Sequence, residues 1–353
     1  MSEHQLSSPA PAPDADESAR VERVAREPAR TRRGAASGGA ARTLGLVVAL
    51  AAICLVGYIT AGSRFASLDN MVVILSAASV LGVVSIGMTF VITAGGIDLS
   101  VGSVLGLASV WATTLATQQM ADQYGWIVMV GCALAVGAGA GLVNGVLVAY
   151  GRVVAFIATL AMLVAARGLA ELIAQRRTQL VTVQSFSDTF KGNLLGVPKI
   201  VWIFAVVAVV GWFLLNRTTF GRRTVAVGGN PEAARLAGIR VKRHTMLLYG
   251  LSGLAAGIAA VMMLARTGAG SSTNGQLYEL DAIAAVVVGG TLLTGGRGTI
   301  VGTVLGVLIF QTLTNVFIQN NLDSSVQNMV KGAIIVAAVL LQQRFSTRPP
   351  RTT

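Results

Sequence analysis

One ionisable side chain interrupts a long apolar tract: Asp98, in Gly95-Gly96-Ile97-Asp98-Leu99-Ser100-Val101-Gly102. A carboxylate placed there could relay a proton, contact a polar solute, or cap free helix N–H groups and meet the positive end of the dipole. Its place at an expected helix start favours capping. No second intramembrane carboxylate or histidine forms an obvious relay with it. Asn144, Gln311, Thr312, Thr314 and Asn315 are uncharged polar residues in apolar sequence, able to bond solute hydroxyls or neighbouring helices. Arg167 and Glu171 are four apart, share a helix face and read as a mutually neutralising pair. Cys54 and Cys132 lie inside apolar segments as packing residues, and His244 and Tyr249 lack ligand-like partners, so no metal site or nucleophile is expected. No Gly-x-x-x-x-Gly-Lys-Ser/Thr phosphate loop occurs, so no catalytic residue and no bound cofactor is expected in this chain.

The glycine-rich stretch has an echo two hundred residues later, Gly295-Gly296-Arg297-Gly298-Thr299-Ile300-Val301-Gly302-Thr303-Val304-Leu305-Gly306. Asp98 is replaced by Gly298 in this second copy, so the charge is not a feature of the repeated unit. Gly-punctuated repeats in apolar sequence mark an internally duplicated membrane protein with broken or closely packed helices near its pathway. The candidate translocation and gating set is therefore Gly95, Gly96, Asp98, Ser100, Asn144, Gly295, Gly296 and Asn315. The repeat is parallel if both motifs open full spans, and could be inverted if either element is re-entrant.

The elements that must position these residues are helices in a bilayer. Of 353 residues, 54% are hydrophobic and 12% charged, about half the charged share of a soluble domain. At about 20 apolar residues per span, the fold is all-α and polytopic, with ten helices expected near 44–62, 70–93, 99–117, 126–150, 153–174, 199–215, 244–264, 280–296, 298–318 and 325–341. Those at 99–117 and 280–296 are either full spans or discontinuous elements sheltered by protein or a water-filled cavity. Residues 1–42, with seven Arg against six acidic residues and almost no large apolar side chain, read as a disordered tail rather than a signal peptide. The permeating domain is 43–345, and 346–353 form a second tail.

A net charge of +12 does not point to nucleic acid, because the basic residues sit between apolar spans, where they set orientation. The largest cluster is Arg217, Arg222, Arg223, Arg235, Arg240, Lys242 and Arg243, opposed by Glu232, in loop 216–243. That loop is expected in the cytoplasm, and ten spans place both termini there too. Within it Asn230 reads as an N-cap, Pro231 as the first helical residue, Glu232 as a dipole complement and Gly238 as the terminator of a two-turn helix, 231–237. So short a helix is marginal alone, which leaves two readings: a structured loop or a docking site.

Four stretches in register resemble the ribose-type permeases of bacterial ABC sugar importers: Gly95 to Gly102, Phe156 to Leu160 with Ala166-Arg167-Gly168, Gly228 to Ile239, and Gly289-Gly290-Thr291 with Gly295 to Thr299. The resemblance covers about 44–345. It implies a multi-pass, homodimeric or pseudo-dimeric pore in the bacterial inner membrane, surrounded by lipids and fed by an extracytoplasmic sugar-binding protein. It also implies a cytoplasmic ATPase that holds the ATP and Mg2+. Gly229, Asn230, Pro231, Glu232, Ala233, Ala234, Arg235, Leu236, Ala237 and Gly238 would form the helix that couples to that ATPase. Relatives in the family move nucleosides or branched-chain amino acids; the Gly-Gly-Ile-Asp-Leu-Ser form favours carbohydrate. An ion-coupled secondary carrier, motivated by Asp98, and a non-transporting scaffold are the competing classes.

Overall fold

A computed structural model describes residues 33–346. Among them are fourteen α-helices and four two-residue strands. In order the helices are α1 (Arg33–Ala61), α2 (Leu68–Thr93), α3 (Val101–Ala112), α4 (Leu115–Tyr124), α5 (Ile127–Ala149), α6 (Ala155–Ala174) and α7 (Gln184–Phe190). There follow α8 (Lys199–Arg217), α9 (Thr219–Gly229), α10 (Pro231–Leu236), α11 (Val241–Thr267), α12 (Tyr278–Val288), α13 (Ile300–Gln319) and α14 (Ser324–Ser346). The chain is an all-α polytopic membrane protein. Seven of these helices are long and apolar enough to cross a bilayer: α1, α2, α5, α6, α8, α11 and α13.

The ten expected segments all contain helices, but two are too short to span alone, and α14, over the expected 325–341, is not among the seven. α3 has 12 residues and α12 has 11, about 18 Å and 17 Å at 1.5 Å per residue against a hydrocarbon core of about 30 Å. The expectation of a helix over 99–117 is corrected: Thr114 accepts from Thr117 N and starts the separate helix α4. The expectation over 280–296 is corrected as well. The two-residue strand Ala269–Gly270 and the turns after it run back along α3, with an added Cβ at Gly270 lying 2.6 Å from the Ser109 carbonyl and one at Gly275 2.6 Å from that of Gly102. An extended half and a helical half thus replace one continuous helix, and the protein around them supplies the cover that irregular backbone needs in a membrane.

The tail boundary also moves. Helix α1 begins at Arg33, although the stretch from Arg33 to Arg42 sets three glycines against four alanines and has no net helix preference to account for it. Residues 1–32 and 347–353, expected as tails, lie outside the described residues.

Burial separates two kinds of span. α2 and α11 bury 72% of their apolar stretch, whereas α6 and α8 bury 22%. The first pair is the core. The second leaves Ile157, Val164, Leu172, Val206, Val210 and Phe213 exposed, the apolar surface that a spanning helix presents to lipid or to another helix. α5 and α11 pack antiparallel with backbone almost touching backbone: an added Cβ at Gly137 would stand 2.8 Å from Gly257 Cα, and one at Gly141 2.9 Å from Gly253 Cα. Small residues four apart permit this approach.

Candidate functional site

The two glycine pairs of the repeat meet. A Cβ on Gly295 would lie 2.7 Å from the Gly228 carbonyl oxygen and 2.9 Å from Gly95 N. Gly296 N donates to the Thr93 carbonyl at 2.9 Å, tying the second motif to the end of α2. Gly95, Gly295 and Gly296 have φ of +84°, +82° and +77°, a region that glycine enters without a Cβ penalty. Thr89 and Thr303 hydroxyls bond at 2.8 Å just beyond. Helices α3 and α13 both start from this junction. The third member, Gly228 on α9, was not among the candidates, although the Gly228-Gly229 doublet has the same form as the other two.

One residue further on, the chain builds the short helix α10. Asn230 Oδ1 accepts from Glu232 N and Ala233 N, both at 3.0 Å. At the other end Gly238, with φ +83°, lets Gly238 N reach the Arg235 carbonyl and Ile239 N reach that of Ala234, both at 3.0 Å. These two bonds form a Schellman cap. The helix is Pro231–Leu236, one residue shorter than expected because Ala237 is the C-cap. Ala234 faces inward, and Leu236 is 78% exposed. Arg235 hydrogen-bonds Glu232 and holds its carboxyl below the usual carboxylate range. The pair therefore contributes above that range and is lost as pH falls through the depressed value, but both groups are exposed and the effect on stability is small. The N-cap matters more: Asn230→Ala should cost the helix about 1 kcal/mol, read as faster amide exchange at Glu232 and Ala233.

Asp98 is 1% exposed. Its Oδ1 accepts from Ser100 N at 3.0 Å and Ser100 Oγ at 2.7 Å, and its Oδ2 accepts from Ser252 Oγ of α11 at 2.8 Å. The carboxylate closes the turn before α3, while the N-cap position itself is Ser100, whose side chain makes no capping bond. Asn144 of α5 donates to Ser100 Oγ at 2.9 Å, and its own buried amide oxygen has no partner. Tyr249 hydroxyl donates to the Ile97 carbonyl at 3.2 Å. The spans α5 and α11 are thus tied to the short helix α3 through one polar turn. Ser252 and Tyr249 were absent from the candidates; a serine within Gly250-Leu251-Ser252-Gly253 was the available sign.

Residues 70–339 match the family model described as branched-chain amino acid transport system / permease component. The chain belongs to this permease family. The ribose import permease protein RbsC of Escherichia coli K12 is 40% identical over 303 residues, covering 85% of this chain and 92% of the relative. RbsC of Bacillus subtilis is 39% identical over 279 residues, covering 78% and 85%. The L-arabinose ABC transporter permease protein AraH of Azospirillum brasilense is 38% identical over 274 residues, covering 78% and 80%. No solved structure matches.

The permease gathers Gly95, Gly96, Asp98, Ser100, Asn144, Gly295 and Gly296 around the junction and the turn beside it, but not Asn315. Asn315 Nδ2 donates to Asn70 Oδ1 at 2.7 Å, and Asn70 Nδ2 donates back at 3.0 Å. These amides clamp the start of α2 to the end of α13. Either single leucine substitution should cost about 1–3 kcal/mol by stranding its partner, and the double variant less than the sum, measured as a thermal-unfolding cycle.

The expected Arg167–Glu171 pair is corrected. Arg167 Nη1 donates to the carbonyls of Ser272 and Asn274, while Glu171 pairs with Arg176 at 3.4 Å. The bare carbonyls of the extended segment attract the guanidinium away from its helix neighbour. Two further carboxylates also lie inside: Glu279 is 9% exposed with one oxygen unpartnered, and Asp281 meets Lys331 at 3.0 Å. Drawing the span from 280 left Glu279 out, whereas Asp281 lay inside the expected span and was passed over.

Proposed function

We propose that the permease is the membrane subunit of an ATP-driven importer that carries a pentose or related monosaccharide into the bacterial cytoplasm. The supporting observation is the doubly capped helix α10, preceded on α9 by Gly228, which abuts the Thr93 carbonyl at the end of α2 and the second glycine break. A push on α10 is delivered to the starts of α3 and α13 through backbone contacts with no slack for side chains to absorb, and packed elements of this kind switch between discrete arrangements. A partner ATPase, holding ATP and Mg2+, supplies the push. The helices swing between outward- and inward-facing states, and a second copy of the chain completes the pathway.

With the segments around α3 and α12 each completing a crossing and α14 making the last, loop 216–243 and both termini face the cytoplasm, and an extracytoplasmic binding protein delivers the sugar. This chain needs no catalytic residue or cofactor of its own. Ribose and arabinose lead as substrates because they are what the named relatives carry. The seven residues gathered around the junction are the candidate gate.

Deletion of Pro231 to Gly238 tests the reading. Membrane insertion should persist, ATPase association should be lost and ATP-dependent uptake should fall to background. Gradient-driven uptake by this chain alone in liposomes would overturn the ATP-driven assignment, and uptake of leucine in place of ribose or arabinose would overturn the sugar.

A further inference from the structure

Two cavities meet at Phe220 and Leu247, on the face where α8, α9 and α11 converge. The first, about 520 Å3, is ringed by Arg223, Arg240, Arg243 and His244 and closes against Gly238 and Ile239, the end of the α10 cap. No acidic residue lines it. None of the three arginines makes an ion pair among the described residues, whose pairs are Arg176–Glu171, Arg235–Glu232 and Lys331–Asp281. His244 is already engaged, bonded to Thr224 Oγ1 at 2.9 Å and tilted at 54° against Phe220 with ring centroids 4.7 Å apart.

The second cavity, about 390 Å3, continues from Phe220 and Leu247 along Ala138, Leu142, Leu214 and Leu254 and contains no charged residue. From Leu247 to Leu254 it follows two turns of α11, about 10 Å. Leu142 and Leu247 are exposed, so the groove opens sideways from the spanning helices.

Three unpaired guanidiniums around one space repel one another, and a phosphate is the group their planar forks match best. The apolar groove leading from that space along a spanning helix selects among phosphate carriers. A free phosphate leaves it empty, and an acidic peptide gains nothing by entering it. We propose that the two cavities form one site for a single anionic phospholipid. Its phosphate lies among Arg223, Arg240 and Arg243, and an acyl chain lies along Leu142, Leu214 and Leu254. Basic pockets between spanning helices hold lipid headgroups on this principle. The headgroup abuts Gly238 and Ile239, so it braces the C-terminal cap of α10. Occupancy of the site is independent of the transport assignment; only the bracing of a coupling helix rests on it.

The test is lipid retention by the purified full chain, measured by native mass spectrometry after equilibration with phosphatidylglycerol or phosphatidylcholine. One phosphatidylglycerol should stay bound per chain in preference to phosphatidylcholine, and inorganic phosphate should not displace it. The triple variant R223Q/R240Q/R243Q should lower retention about a hundredfold. Ala138→Phe, which fills the groove and leaves the charges in place, should lower it too. Equal retention of the two lipids by the unaltered chain overturns the proposal without any variant having to fold. So does retention unchanged by Ala138→Phe, which would leave a bare anion site, or binding of inorganic phosphate with no lipid held. Loss of ATPase association in the triple variant with lipid retention intact overturns it in favour of a protein partner at the arginines.

Discussion

Gly228→Val should abolish ATP-driven uptake, while Gly229→Ala, one residue away, should leave it close to normal. A Cβ at Gly228 would meet the Thr93 carbonyl oxygen and stand 2.6 Å from Gly296 N, whereas one at Gly229 meets nothing within 4 Å. The obstacle at Gly228 is backbone on both sides, so no side chain can rotate away. Overpacking of this kind costs about 1–3 kcal/mol. It also pushes apart the contacts through which α9 and α10 reach α2 and the start of α13. Gly295→Ala should be at least as damaging, since its Cβ would stand 2.7 Å from the Gly228 carbonyl and its φ is +82°. The readout is uptake alongside the thermal-unfolding midpoint in detergent. If Gly228→Val transports normally, the junction does not transmit motion. If Gly228→Val and Gly229→Ala fail alike, the damage is general rather than local.

The same junction shows what was legible in the sequence. The two Gly-Gly motifs were visible as a repeat, and their place at helix starts followed from the apolar runs after them. Their contact with each other was not visible, because it is a relation between residues 200 positions apart that no local pattern encodes. Helix α10 was read to within a residue, since its caps are local chemistry: an asparagine, a proline and a glycine at fixed offsets. The half-length of α3 and α12 was hidden for the opposite reason. Residues 99–117 and 280–296 are apolar on average, with Asp281 their one charge, and hydropathy alone does not tell a short helix beside buried irregular backbone from a full crossing. Arg167 was paired with Glu171 by spacing. The competing acceptors, the Ser272 and Asn274 carbonyls, lie between the helices expected at 244–264 and 280–296, where no element was expected. Asn315 was grouped with the gate because an amide in a span looks the same whether it faces a solute or another amide.

Asp98→Ala should destabilise the permease by about 3–5 kcal/mol, because it strands buried donors that each cost about 1–3 kcal/mol when left unpaired. The donors are Ser100 N, Ser100 Oγ and Ser252 Oγ. Asp98→Asn keeps one acceptor and should recover much of the loss. Ser252→Ala removes only the tie between the turn and α11 and should cost less than Asp98→Ala. Combining Ser252→Ala with Asp98→Ala should cost less than the sum, since both remove the same bond. The outcome separates two jobs for the carboxylate. If it holds the turn, uptake in Asp98→Asn tracks the unfolding midpoint and uptake by the assembled importer shows no dependence on a proton gradient. If it carries a proton or touches the solute, Asp98→Asn loses uptake at an unchanged midpoint. The three bonds from two serines leave little of the carboxylate open to a solute, and its buried neighbours are the groups that hold α3 against α5 and α11. A wild-type midpoint for Asp98→Ala would sink the structural role.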